Sequence, residues 1–207
     1  MKKILLLPLL FAAAVVFAAE QDLKLHLLFE PVAGTDSVHD ISGNAYHARL
    51  VGTAGCVPVG DVYAVASGTN GYVDLGAKAG NLISTLSDFT VATYLYIQPA
   101  QDLTANGNFV WTFSNSANIL TSATGCMFYT AKNSRYAISK TNWSAEKVLS
   151  LNTQASKGRW VHIVYKQQSG TGYLYHDGIL KKSGAISLAP ADLGSPAFNY
   201  LFKSSYA

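Results

Sequence analysis

Apolar and polar residues alternate along most of this chain with a period of two, which is the spacing of side chains on the two faces of a β-strand. The alternation begins at Leu23, where four apolar residues recur at every second position up to Phe29 while Lys24 and His26 lie on the other face. Clusters of Gly, Asn, Ser and Thr separate the alternating segments, and no long segment has the 3.6-residue period of a helix. The pattern predicts an all-β chain with strands in segments 23–29, 71–76, 88–97, 109–113, 127–129, 135–138, 160–165 and 173–176.

The clearest turn is the dipeptide Asp177-Gly178, which lies between two apolar arms. Asp-Gly supplies the two positive-φ positions of a tight hairpin turn, so a two-residue hairpin is predicted there. Three prolines fall between predicted strands, where a missing N–H does no harm to a sheet: Pro99, Pro190 and Pro196. Many short strands with frequent turns favour an antiparallel sandwich over an α/β fold.

The first residues have the pattern of a secretory signal peptide. Lys2 and Lys3 form a basic start, an apolar run covers positions 4–17, and small residues follow at Ala18 and Ala19. The run is shorter than the roughly 20 apolar residues that span a bilayer, which disfavours the alternative of a retained anchor helix. We expect a signal peptide at 1–18 and a single exported domain at 19–207, in the periplasm, at the cell surface or outside the cell, with no membrane span after cleavage.

The charge of the chain disfavours a nucleic acid as a partner. The formal net charge of the whole chain is +3, and the lysines of the exported part are scattered, so no basic stripe for a nucleic acid is present.

An oxidising compartment permits a disulfide between Cys56 and Cys126. Two separate buried thiols are the alternative, because the two positions are far apart in the sequence. Both possibilities stay open at this point.

The order of several motifs resembles the laminin-G-like, concanavalin A-like jelly-roll domains often appended to bacterial secreted glycoside hydrolases. The motifs are spread along nearly all of the exported chain, at 27–30, 40–44, 71–76, 88–97, 158–165, 188–194 and 199–201. The resemblance implies an antiparallel jelly-roll β-sandwich. Domains of that family usually continue with a further strand after the Asn-Tyr motif, whereas this sequence stops at Ala207. We therefore expect a domain that lacks its closing C-terminal strand, and a full-length protein with a downstream catalytic domain.

The same resemblance implies a structural Ca²⁺ ion near the loop after the first strand, with Asp40 and Asn44 as ligands. Calcium takes about 6–8 oxygen ligands, so backbone carbonyls would have to supply several of them. The alternative is a plain turn in which Asp and Asn side chains bond to their own backbone.

Catalytic patterns are weak in this sequence. A glucanase of this fold needs neighbouring carboxylates about 5–5.5 Å apart, yet Glu30 and Glu146 have no acidic partner two residues away. Glu20 has Asp22 two residues away, but it lies at the expected new N-terminus. No Gly-x-Ser-x-Gly elbow and no phosphate-binding Gly-rich loop occur. Whether the full-length protein is an enzyme stays open, and this segment itself is expected to be non-catalytic.

Aromatic residues are the candidate ligand contacts, because sugar C–H faces stack on exposed rings. We single out Trp143, Tyr129 and Tyr136, with Trp143 in a polar loop, and we expect Trp160 in the core. The favoured function is a carbohydrate-binding or targeting module of an exported glycan-degrading protein, with a polysaccharide or oligosaccharide as partner. The alternatives are a structural module that contacts a neighbouring glycosidase domain, and a fragment of a glycoside hydrolase that acts on arabinose-containing plant polysaccharide.

Overall fold

A computed structural model describes residues 22–104, 108–122 and 124–206 of the chain. The predicted signal peptide lies outside the described residues. Fourteen strands form within them: β1 Ser37–Val38, β2 Ala48–Val51, β3 Gly55–Val59, β4 Val62–Ala66, β5 Tyr72–Asp74, β6 Phe89–Tyr96, β7 Phe109–Ser114, β8 Cys126–Thr130, β9 Arg135–Ser139, β10 Lys147–Ser150, β11 Trp160–Gln168, β12 Thr171–His176, β13 Ile179–Ala185 and β14 Phe198–Leu201. Two α-helices, α1 (Gly76–Ile83) and α2 (Ile119–Ser122), and two 3-10 turns, Trp143–Ala145 and Pro190–Leu193, complete the described elements.

The strands form an antiparallel β-sandwich, as the sequence predicts. An eight-stranded sheet has the order β1-β2-β5-β14-β7-β8-β9-β10, and a four-stranded sheet has the order β13-β12-β11-β6. Strands β3 and β4 pair separately as a two-stranded sheet. Every strand pair is antiparallel, and neighbours in each sheet are often distant in sequence, for example β5 and β14.

The core lies between the two large sheets. Tyr136 of the eight-stranded sheet stacks on Tyr165 of the four-stranded sheet, with ring centroids 3.7 Å apart. Tyr129 and His176 are also joined across the sandwich by a hydrogen bond of 3.2 Å between Oη and Nε2. Aromatic side chains contribute much of the apolar area that a sandwich core buries. These contacts therefore fix the distance and registry between the two sheets.

The opposite face of the eight-stranded sheet is covered by the C-terminal segment. Tyr206 packs against Phe128 and Phe109 there. Its hydroxyl donates a 2.5 Å hydrogen bond to Glu146, whose buried carboxylate is also paired with Arg135. A buried carboxylate needs such partners, since an unpaired charge away from water is costly.

The segment 23–29, predicted as an opening strand, forms only an isolated bridge between Leu27 and Asp40. The backbone carbonyls of Leu23 and Lys24 accept hydrogen bonds from the side chain of Asn44 instead of from a neighbouring strand. The prediction of a strand was wrong, because side chains of the 40–44 turn take the place of a ladder partner for this backbone.

Helix α1 follows β5, at the end of the predicted strand 71–76 and before the predicted strand 88–97, where the sequence predicts no helix. Ala79, Gly80 and Ile83 form its buried side. Gly80 lies against the backbone of Pro196, and a Cβ at this position would come 1.8 Å from the Pro196 carbonyl oxygen. An eight-residue helix with small residues on its buried face has too little periodic signal to be recognised in a sequence.

Candidate functional site

Two of the three predicted ligand contacts are inside the molecule. Tyr129 and Tyr136 are fully buried between the sheets. Burial raises the pKa of both phenols above the usual range. Their prediction as ligand contacts was wrong, because β8 and β9 are central strands and these two side chains point towards the core.

Trp143 is exposed, as the sequence predicts, with 64% of its surface accessible. It begins the 3-10 turn between β9 and β10. The side chain of Asn142 caps this turn and accepts hydrogen bonds from the backbone N–H and the hydroxyl of Ser144, at 3.1 and 2.7 Å. The turn holds the indole at the surface, and its role as a ligand contact stays a prediction.

Asp40 is the centre of a turn. Its Oδ1 accepts hydrogen bonds from the N–H groups of His26 and Ser42, and its Oδ2 accepts from the Ser42 hydroxyl and the Tyr46 N–H, at 2.8 to 2.9 Å. Burial alone would raise the pKa of this carboxyl, but the hydrogen bonds together lower the pKa below its usual value. Both oxygens are thus already occupied by donors.

This arrangement does not fit a calcium site well. The amide nitrogen of Asn44, the second predicted ligand, donates to backbone carbonyls of the N-terminal segment. Within the described ranges, no group of three or more His, Cys, Asp or Glu side chains is placed to hold a metal ion. The geometry matches the turn alternative, and calcium binding stays a prediction.

The two cysteines are free in the structure. Cys56 lies in β3 of the two-stranded sheet, and Cys126 lies in β8 of the eight-stranded sheet. The Cys126 sulfur is 3.8 Å from the Tyr206 hydroxyl, and burial raises the pKa of its thiol to about 12. The structure corresponds to the alternative of two separate thiols and not to the predicted disulfide.

A group of exposed aromatic residues lies on the outer face of the four-stranded sheet. Trp160, predicted to be in the core, is 40% exposed, so that prediction was wrong. Val161 and Ile163, its neighbours along β11, point inwards and are buried. On the adjacent strand β6, Tyr94 and Tyr96 are 69% and 37% exposed.

The strand register brings these rings together in two cross-strand pairs. Trp160 lies directly opposite Tyr96, with ring centroids 5.6 Å apart. His162 lies opposite Tyr94, and these rings stack at 4.5 Å with an interplanar angle of 24°. The two rows are separated by two residues along each strand, or about 7 Å. We call Tyr94, Tyr96, Trp160 and His162 the aromatic face.

Polar groups border the aromatic face at one end. The Asp177 carboxylate accepts a hydrogen bond from the backbone N–H of His162 at 2.9 Å and forms a 2.9 Å ion pair with Arg159. The hydrogen bond from His162 and the neighbouring guanidinium lower the pKa of Asp177. Arg159 also donates to the backbone carbonyl of Trp160. This pair fixes the backbone at the start of β11 and places two hydrogen-bonding side chains beside the rings.

The same sheet face continues across β12. Tyr173 lies opposite Lys166, whose Nζ is 6.0 Å from the ring centroid, and Tyr175 lies opposite Val164. The sequence held a signal for this face, because Trp160, His162 and Lys166 share one parity along β11. Val164 has the same parity as Trp160 and weakened the signal, because these two residues make the outer face of the strand look partly apolar.

In the part of the chain that the structure describes, no helix has both the length and the apolar character needed to cross a membrane.

The solved structures that resemble this chain include domains of carbohydrate-active proteins. Domain 4 of AbnA, an extracellular arabinanase of family GH43 from Geobacillus stearothermophilus, solved with arabinotriose, has a TM-score of 0.61 at 13% identity, over 87% of this chain and 84% of that domain. A Trypanosoma rangeli sialidase solved with sialic acid has a TM-score of 0.50 at 14% identity, over 94% of this chain and 33% of the sialidase. The CBM40 of a Ruminococcus gnavus sialidase has a TM-score of 0.42 at 9% identity, over 58% and 66%. At these identities the likeness to the arabinanase domain and to the T. rangeli sialidase shows the fold alone.

A search of curated proteins gives no match. The family model Laminin_G_3, described as the concanavalin A-like lectin/glucanases superfamily, matches residues 67–204. This range begins before β5 and extends past β14, so it includes strands of both large sheets and the two strands, β6 and β11, that carry the aromatic face. The chain belongs to the concanavalin A-like lectin/glucanases superfamily.

Proposed function

We propose that this domain is a non-catalytic carbohydrate-binding module and that its binding surface is the aromatic face. One observation carries the proposal: Tyr94, Tyr96 and Trp160 expose their rings side by side on one sheet surface. Exposed apolar surface is unfavourable in water, and a contiguous patch of it on a soluble domain usually marks an interaction site.

Carbohydrate suits this surface because a sugar ring has an apolar C–H face and a hydroxyl-bearing edge. The C–H face covers an aromatic ring, while hydroxyl groups bond to polar side chains at the border, here Arg159 and Asp177. These two charges are paired with each other, so the border adds donors and acceptors without a strong field. The proposed ligand is therefore a neutral glycan.

The proposal also includes the export of the domain and its place in a longer, glycan-degrading protein. The predicted signal peptide at 1–18 supports export, where polysaccharides are accessible. The family resemblance supports a role in targeting a glycan-degrading protein with a downstream catalytic domain. Because domain 4 of the arabinanase was solved with arabinotriose, arabinan and arabino-oligosaccharides are sensible first ligands for this chain.

Affinity gel electrophoresis in neutral polysaccharides tests the proposal, with Trp160→Ala compared with the unchanged domain. Removal of the indole should weaken binding by about tenfold or more, equivalent to about 1.4 kcal/mol. Tyr63→Ala is a matched control, because Tyr63 is also a half-exposed strand residue but lies on β4 of the separate two-stranded sheet. Trp143→Ala tests the alternative that the ligand contacts Trp143. Loss of binding in that variant alone would assign the binding site to the β9–β10 turn.

A second candidate function is contact with a neighbouring protein domain. Ile179 and Leu180, at the start of β13, are both exposed and lie next to the hairpin turn. The double substitution of Ile179 and Leu180 by Ser should leave glycan binding unchanged if the aromatic face is the site. If these residues form a protein contact instead, the substitution should abolish association with the downstream domain in size-exclusion chromatography.

A further inference from the structure

A separate, open cleft of about 300 Å³ lies at the other large sheet, where β1, β2 and β5 meet. This volume is at the lower end of the range of small-molecule sites, and it suits a single sugar unit. Seven residues line the cleft: Asp36, Ser37, His47, Ala48, Arg49, Asp74 and Gly76. None of them belongs to the aromatic face.

Strand register places three of the polar side chains in one row. Arg49 of β2 lies directly opposite Ser37 of β1 on one side and Asp74 of β5 on the other. Residues directly opposite in a sheet share a face, so the guanidinium is flanked by a hydroxyl and a carboxylate.

The groups of this cleft are available to a ligand. Asp36 and Arg49 approach to only 3.8 Å, and each side chain is 62% exposed. An exposed pair of this kind is held weakly, so it can exchange its partner for a ligand at little cost. Asp74 uses Oδ1 to accept the Gly76 N–H at 2.8 Å, which fixes the orientation of its carboxylate.

His47 adds a directed donor. Its Nδ1 accepts the backbone N–H of Asp40 at 3.1 Å, so in the neutral ring the proton is on Nε2. Gly76 has open space beside it, because a Cβ placed on it would meet no atom within 4 Å.

The mixture of groups selects the class of ligand. The carboxylates of Asp36 and Asp74 disfavour an anion, and the guanidinium of Arg49 partly offsets their attraction for a cation. A neutral molecule whose groups both donate and accept hydrogen bonds satisfies all of them, and vicinal hydroxyls can bond a guanidinium and a carboxylate side by side.

We propose that this cleft is a second carbohydrate subsite that holds the hydroxyl edge of a neutral sugar unit. The proposal rests on the proposed carbohydrate-binding function and assigns a hydrogen-bonding site in addition to the stacking surface. Stacking on the aromatic face suits the middle of a long polysaccharide, whereas a cleft of this size suits a single terminal or branching sugar unit.

Amide chemical shifts in an NMR titration of the whole exported domain test the cleft directly. The probes are arabinose, glucose and galactose at tens of millimolar, with glycine as a zwitterionic comparison. At least one neutral sugar should shift the amides of Ser37, Arg49 and Gly76. Shifts at these amides with glycine alone, or no shift with any of the probes, would overturn the proposal.

Variants separate this site from the aromatic face. Arg49→Ala should weaken the cleft titration by about tenfold or more, and Arg49→Lys should also weaken it, since lysine keeps the charge but loses the planar fork. Asp74→Asn retains an acceptor for Gly76 and should have a smaller effect. Asp61→Asn, in the β3–β4 turn, is the matched control for loss of one exposed carboxylate.

The two proposals can fail independently. If oligosaccharides shift the amides of Tyr94 and Trp160 but leave Ser37, Arg49 and Gly76 unchanged, the cleft is refuted and the proposed function stands. If only the cleft amides respond, the cleft is supported and the aromatic face is refuted as the binding surface. If Arg49→Ala gives the same cleft shifts as the unchanged domain, the assignment of Arg49 is overturned.

Discussion

The rings of Tyr94 and His162 stack at a centroid distance of 4.5 Å on the outside of the sandwich, whereas the stacked pair of Tyr136 and Tyr165 lies in its core. The outer contact orients both rings on adjacent strands before any ligand arrives. A surface whose side chains are already ordered loses less conformational entropy on binding, which favours affinity. The stacked pair therefore supports a binding role for this face over a purely structural one.

Substitution of Tyr94 should separate binding from stability. Because most of the Tyr94 side chain is in water, Tyr94→Ala should change the free energy of unfolding by less than about 1 kcal/mol. The same substitution should weaken glycan binding severalfold, whereas Tyr94→Phe should retain most of it. Urea denaturation followed by fluorescence gives the stability, and gel retardation gives the binding. Equal binding by Tyr94→Ala and the unchanged domain would exclude a contribution of this ring.

Tyr136 should be a stability residue and not a ligand contact. Tyr136→Ala removes a fully buried ring that stacks on Tyr165, so we expect a loss of about 3–5 kcal/mol in the free energy of unfolding. Trp143→Ala, at an exposed turn, should cost less than about 0.5 kcal/mol. Thermal and urea denaturation of the two variants compare them directly. Similar losses in both would contradict the burial described for Tyr136.

His176 should make stability depend on pH in the mildly acidic range. Burial lowers the pKa of His176 below its ordinary value of 6.5; Lys181 and Arg159 lower the pKa further, while Asp177 opposes them. The unfolded chain therefore binds a proton more readily than the folded chain does, and the free energy of unfolding falls as pH decreases below about 6.5 until the folded pKa is passed. Denaturation curves between neutral pH and pH 5 should show this loss, and His176→Gln should reduce it. An unchanged slope in that variant would assign the effect to another group.

Asp40 should stabilise the N-terminal segment without a metal ion. Asp40→Ala leaves the N–H groups of His26, Ser42 and Tyr46 without their acceptor, at a cost of about 1–3 kcal/mol for each group that stays buried. Proteolysis of the segment near His26 should become faster in this variant. A calcium chelator should leave the Tm of the unchanged domain where it is. A clear fall in Tm with chelator, reversed by added calcium, would support the calcium prediction over the turn.

Local sequence signals predicted the elements whose geometry is fixed by neighbouring residues. Asp177 and Gly178 adopt φ values of 52° and 76°, as the predicted hairpin requires, because only a few residue types tolerate that conformation. Trp160 was misplaced because both faces of β11 carry apolar residues, so alternation alone cannot say which face meets the core. The cleft was beyond sequence reasoning, since Arg49 and Asp74 become neighbours only through the pairing of β2 with β5.

The most direct test of the central claim is affinity gel electrophoresis of the domain and its Trp160→Ala variant in arabinan and other neutral polysaccharides, with Tyr63→Ala as control. At least one polysaccharide should retard the domain and the Tyr63 variant, and Trp160→Ala should migrate freely in the same gel. Equal retardation of all three proteins, or free migration of the folded domain in every polysaccharide, would contradict a carbohydrate-binding role for the aromatic face.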